Sequence, residues 1–195
     1  MKITLLDINP EMVQAWREIC GNLPNVEIKQ CSFHAFKGDA IVSPANSFGF
    51  MDGGIDYKYS EHYGWDVQER LQKIIKTRFC GELPVGQAVM VATKHKDVQY
   101  VIAAPTMRSP MILGDQTLNP YLATRAALIE AFKLETDPSV CFPGMGTGCG
   151  KVPVKLCAHQ MRRAIEQVVL GVTEFPDSWM EATDTTDDLL MIERK

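Results

Sequence analysis

No stretch of this chain is strongly basic, no apolar run approaches the length of a membrane span, and no cysteines or histidines stand at metal-ligand spacing. Each absence removes a class of function. With a formal charge of −4 and no cluster of Lys and Arg, the chain lacks the positive field that phosphate-backbone affinity requires, so no nucleic-acid surface is expected. Met1-Lys2 precedes only Ile3 to Leu6 before Asp7 interrupts, too short for a signal core. The expected location is cytoplasmic, with no membrane partner. The six cysteines, Cys20, Cys31, Cys80, Cys141, Cys149 and Cys157, read as reduced core thiols. His34, His62, His95 and His159 have no Cys or His partner three or four residues away, so neither a metal nor another cofactor is expected.

What is present is enough apolar material for one full core: 46% of 195 residues. Lys2 to Leu6 reads as a strand, Asn9-Pro10 as the cap of a helix with Met12, Val13, Trp16, Ile19 and Cys20 on one face, and Val26 to Cys31 as a second strand. The unit is β-α-β, so its strands should be parallel, with Asp7 and Ser32 at one edge. Further helices are expected from about Ile55, from Trp65, from a cap at Asn119-Pro120 and from Pro153, and strands at Ala88 to Thr93, Tyr100 to Ala104 and Val140. This alternation predicts an α/β fold with a mixed, mostly parallel sheet covered on both faces. Residues 1–170 are expected to form one domain and 171–195 an acidic tail, partly docked or flexible, with Phe175, Trp179 and Leu189 to Ile192 able to dock.

Two glycine-rich loops carry the chemistry. In DAIVSPANSFGFMDGGIDYKY, a strand ends at Ser43-Pro44, and Gly53-Gly54 allows close backbone approach to a ligand before Ile55 opens a helix; Asn46 and Asp56 stand ten positions apart around it. VCFPGMGTGCGKVP repeats the arrangement: a buried strand, then Gly144, Gly146, Gly148 and Gly150, then a helix start at Val152-Pro153. Loops that follow parallel strands gather at one edge, so both could close over one pyrophosphate. Blander readings stay open. Asp56 suits a helix dipole, Asn46 suits a left-handed turn, and the glycines suit tight turns. Cys149 at a helix start lacks a histidine nearby in sequence to act as base, and Arg108 fits either a phosphate contact or a solvated loop.

The two loops, their order and the segment LPVGQAVMVATKHKDVQYVIAAPT between them resemble the macrodomain family of ADP-ribose-binding and ADP-ribosyl-hydrolysing modules, over about Val26 to Val169. The resemblance implies a three-layer α/β/α sandwich with an N-terminal β-α extension and the ligand across the strand carboxyl ends. It implies that Asn46 holds the distal ribose, that Asp56 orients or activates a water at the anomeric carbon, and that Gly53, Gly54 and Ile55 form the first phosphate loop. Gly144, Gly146, Thr147, Gly148, Cys149 and Gly150 then belong to the second. Where the family places Gly-Asp-Ile, whose aspartate accepts from the adenine amino group, this chain has Cys31-Ser32-Phe33. Adenine recognition then falls to Asp7, with Ser32 and Phe33. Gly150 replaces an aromatic that often covers the distal ribose, leaving Phe48 or Phe50 as cover. The expected function is hydrolysis of a terminal ADP-ribose from a protein, acetate or phosphate; a non-catalytic ADP-ribose reader and a binder of another nucleotide are the alternatives.

Overall fold

The computed structural model describes residues 1–134, 137–172 and 175–191. Six strands form one sheet in the order β2-β1-β6-β3-β5-β4, from β1 (Lys2–Asp7), β2 (Val26–Gln30), β3 (Gly38–Ser43), β4 (Val89–Ala92), β5 (Val98–Ala103) and β6 (Ser139–Phe142). All neighbours are parallel except β4, which pairs antiparallel with β5 across a short turn that carries Lys94, Lys96 and Asp97. Alternation along each strand feeds both faces: Ile3, Leu5, Ala40, Val42, Val140 and Phe142 enter one core, while Leu6, Ile41 and Cys141 enter the other.

The first core is covered by α1 (Pro10–Cys20), α4 (Asn119–Ala131) and α5 (Val154–Val168), and the second by α2 (Gly54–Tyr63) and α3 (Asp66–Arg78). These are three layers, helix-sheet-helix, with β1, α1 and β2 as the N-terminal extension. Asn9 caps α1 through a 3.0 Å bond from Glu11 N–H to its Oδ1, with Pro10 at the first helical position where its missing donor costs nothing. Asn119 does not cap α4. It is the first helical residue, and its Nδ2 donates at 2.8 Å to Thr106 O, satisfying a carbonyl of the segment after β5. The buried side of α4 is mostly alanine (Ala123, Ala126, Ala127, Ala131), which lets it lie close against α5, while Ile129 and Phe132 are exposed.

The tail forms α6 (Trp179–Leu189), opened by Ser178 accepting from Glu181 N–H. It meets α5 through Leu189, which is buried, through Gln160 Nε2 donating to Leu189 O at 3.1 Å, and through Arg163 Nε to Asp188 at 2.9 Å. Phe175 and Trp179 differ from the docking expected of them, being 87% and 89% exposed. Ile192 lies outside the described residues. Among those residues no helix is long and apolar enough to cross a membrane. The cysteines are all free, but only Cys20, Cys141 and Cys157 are core thiols; burial pushes Cys20 and Cys157 up to about 12. Cys80 and Cys149 are exposed and Cys31 half-buried, because they fall in connections rather than in the strands and helices that face the core.

Candidate ligand site at the carboxyl rim

Sheet order decides where the two glycine loops meet. β3 and β6 are direct neighbours, with Ala40 opposite Val140 and Ile41 opposite Cys141, and β6 is flanked on its other side by β1. Running parallel, the three strands release their chains on the same edge, at Ser43, Phe142 and Asp7. Asp7 is tied to the second loop directly: Gly144 N–H donates to its Oδ2 at 3.2 Å, and Asn9 N–H to its Oδ1 at 2.9 Å. The structure therefore brings Asp7 and both loops to one rim.

In the first loop Asn46 organises its own turn. Its Oδ1 accepts from Phe48 N–H at 3.1 Å and Phe50 N–H at 3.2 Å, and its Nδ2 donates to Phe50 O at 2.7 Å. The base of the loop is zipped to the segment after β5 by an isolated parallel bridge between Asn46 and Met107 and by Ser47 N–H to Arg108 O. Arg108 pairs with Glu82 at 2.9 Å and stands over the Phe48 ring at 4.9 Å, so its guanidinium is already engaged. Farther along, Gly53 and Gly54 are exposed with open space where a Cβ would stand, and α2 starts with no side-chain cap. Its first N–H groups are thus open to an anion.

Asp56 sits in the first turn of α2 but faces inward. It is 6% exposed, and its Oδ1 accepts from Ser43 Oγ at 2.6 Å. Burial pushes this carboxyl up to about 7, against the smaller downward pull of the Ser43 hydrogen bond. Such an acid is ionised and protonated in comparable amounts near neutrality. The inward turn is invisible in residue spacing, since position in a helix does not say which way a first-turn side chain leans.

The second loop is more tightly packed. A Cβ on Gly144 would meet Thr147 Oγ1 at 2.7 Å, and one on Gly150 would meet Gly146 O at 2.5 Å; Gly146 has φ +76. Leu113 N–H donates to Gly150 O at 2.7 Å, binding the segment after β5 to this loop too. Gly148 and Cys149 are exposed, Thr147 half-buried, and α5 opens after Pro153 without a side-chain cap. Gly150 is buried as a packing residue against Gly146, Leu113 and Met107.

Ser32 is exposed with its Oγ 2.7 Å from His34 Nδ1. The Phe33 ring is 5% exposed and packs edge-on to Tyr59 in the second core, because the 3-10 turn Phe33–Ala35 lies over that face. Three of the four histidines lie together. His34, His62 and His95 come together from three different segments, with His62 edge-on to His34 and tilted to His95 at ring-centroid distances of 4.7 and 4.8 Å, and burial together with the two neighbouring imidazoles holds His62 below its ordinary value. Among the described residues no group of three or more His, Cys, Asp or Glu is arranged to hold a metal. A recess of about 200 Å³ lies beneath α6, lined by Tyr121, Arg125, Arg163 and Leu189, away from the rim where the glycine loops converge.

Comparison with known proteins agrees with this geometry. A protein of Aquifex aeolicus is 34% identical over 144 residues, which cover 73% of this chain and 82% of that protein. The Oceanobacillus iheyensis macrodomain, solved with ADP, superposes with a TM-score of 0.55 at 23% identity, over 66% of this chain and 68% of its own. The Trypanosoma brucei macrodomain, solved with ADP-ribose, does so with a TM-score of 0.50 at 22% identity, over 67% of this chain and 53% of its own. The Macro domain family model matches residues 42–161, more than half of the chain, and the chain belongs to the Macro domain family.

Proposed function

We propose that this chain binds ADP-ribose across the carboxyl rim and hydrolyses the bond between a terminal ADP-ribose and its carrier. The observation that carries the reading is the adjacency of β3 and β6, which sets two uncapped helix starts behind two glycine loops on one edge. Backbone N–H groups at the starts of α2 and α5 suit a pyrophosphate, because the free donors and the helix dipoles point the same way. Two related folds, solved with ADP and with ADP-ribose, support this choice of ligand. Asn46 shapes the first loop and sets its amide beside the distal ribose. Asp56, pushed up to about 7, suits proton transfer at neutral pH. In the proposed step the water oxygen bonds to the anomeric carbon and the water proton passes to Asp56. The bond from that carbon to the leaving oxygen breaks, its electron pair staying with the oxygen. No metal takes part.

A specific observation favours a second reading, a non-catalytic ADP-ribose reader: the Asp56 carboxyl is largely buried, with one oxygen held by Ser43. Two measurements separate the readings. ADP-ribose at saturation should raise Tm, as any ligand bound only by the folded state must; a flat response discards both. Asp56→Ala should then abolish release of ADP-ribose from a mono-ADP-ribosylated protein while keeping ADP-ribose affinity. Wild-type protein that binds but releases nothing is a reader.

A further inference from the structure

Ser43 closes β3 with its side chain wholly buried and its carbonyl already accepting from Ala104 N–H at 3.0 Å. Fixed by pairing with β5, it turns its hydroxyl toward α2 and donates to Asp56 Oδ1 at 2.6 Å, the length of a charge-assisted O–H···O bond. Tyr59, one turn farther along α2, donates its hydroxyl at 3.3 Å to Val42 O, beside Ser43. Its phenol feels the Asp56 charge as well as Cys141, Tyr63 and Asp7, and burial holds it neutral. The Ser43 hydroxyl is thus a directed donor to the Asp56 carboxyl from the end of the strand.

We propose that Ser43 is the positioning residue of this site: its hydroxyl fixes the Asp56 carboxyl against the end of β3 and stabilises its ionised form. A carboxylate this deeply buried stays charged only where a donor compensates its lost hydration. Ser43 supplies that donor from a rigid strand, so both the direction of the carboxyl and the pH at which it ionises depend on the hydroxyl. The role in a reaction rests on Asp56 being the acid of an ADP-ribosyl hydrolase, but the first readout below does not.

In carbon-13 NMR of the free chain, the Asp56 carboxyl should titrate near about 7 in the wild type. Ser43→Ala should move that midpoint upward by about one pH unit, the worth of a hydrogen bond to a charged group. Ser43→Thr, which keeps the hydroxyl, should return it toward wild type. A Ser43→Ala midpoint equal to wild type overturns the proposal. If Ser43→Ala does not fold, Ser43→Cys substitutes a weaker donor of similar shape; an upward shift supports the inference and an unchanged midpoint refutes it. On a mono-ADP-ribosylated protein, the pH at which kcat rises to half its plateau should move by the same amount while KM stays within about twofold. A titration shift without turnover in any variant, wild type included, leaves Ser43 in its place and sinks the hydrolase reading alone.

Discussion

The two glycine loops look alike in the sequence and differ in what their glycines do. Gly53 and Gly54 stand in open space at the start of α2, whereas Gly144 and Gly150 are hemmed in by Thr147, Asp7 and Met12 on one side and by the Gly146 carbonyl, Leu113 and Met107 on the other. In the first loop a side chain, Asn46, does the organising with three hydrogen bonds. In the second the backbone folds on itself, and glycine is needed at 144 and 150 because anything larger collides there, while Gly148 stands open. The lesson is that glycine spacing marks a place where backbone comes close to something. Only the packing reveals whether that something is a ligand or the protein.

Gly150→Ala tests this most harshly. Its Cβ would stand 2.5 Å from a backbone oxygen that no rotamer can move, so the loop must shift. The expected cost is about 3 kcal/mol, read as a fall in Tm of roughly 10 °C. A Tm within 2 °C of wild type, taking that span as roughly half a kcal/mol, would show the second loop to be as loose as the first.

Asp56 sharpens the contrast from the other side, since here the first-loop region carries the strain. Its folded value of about 7 lies above the ordinary 3.8, so between these pH values the folded state binds the extra proton and stability from this group falls as pH rises. Linkage sets a ceiling of about 4 kcal/mol for the penalty above pH 7, and protein relaxation reduces it to the order of 2 kcal/mol. Asp56→Asn, which cannot ionise, should therefore raise stability at pH 8 and leave it nearly unchanged at pH 4. Denaturant melts at the two pH values check the sign. Equal effects at both would mean that Asp56 is not desolvated as placed.

Much of this was legible from local pattern. The β-α-β start, the strand-loop-helix order and the two loops follow from apolar periodicity punctuated by Gly and Pro, which are near-neighbour effects. The order β2-β1-β6-β3-β5-β4 was not, because Val140 pairs with Ala40 across a hundred residues and no local rule names that partner. The same blindness hid the histidines: spacing of three or four residues detects neighbours on one helix, while His34, His62 and His95 arrive from three segments. For Asp56 the ten-residue offset from Asn46 was visible but the Ser43 partner was not, since a helix-start carboxylate can lean toward solvent or toward the strand before it. Phe33 stands beside a ligand motif in the sequence, while the hydrophobic effect places its ring in the core, which a motif does not show.

The finest test uses substitutions that should leave the fold alone. Gly53 has φ −139, an extended conformation any residue adopts, and a Cβ there meets nothing within 4 Å; Gly148 is equally unobstructed. Alanine at either should change stability by under about 0.5 kcal/mol. If the backbone N–H groups at the start of α2 grip a phosphate, however, the Gly53 methyl stands in ligand space. ADP-ribose affinity measured by calorimetry should then drop about tenfold, some 1.4 kcal/mol. Gly148→Ala should weaken it as well if the pyrophosphate touches both loops. Loss at Gly53 alone would make the second loop a packed support rather than a grip, and loss at neither would move the ligand off the rim altogether.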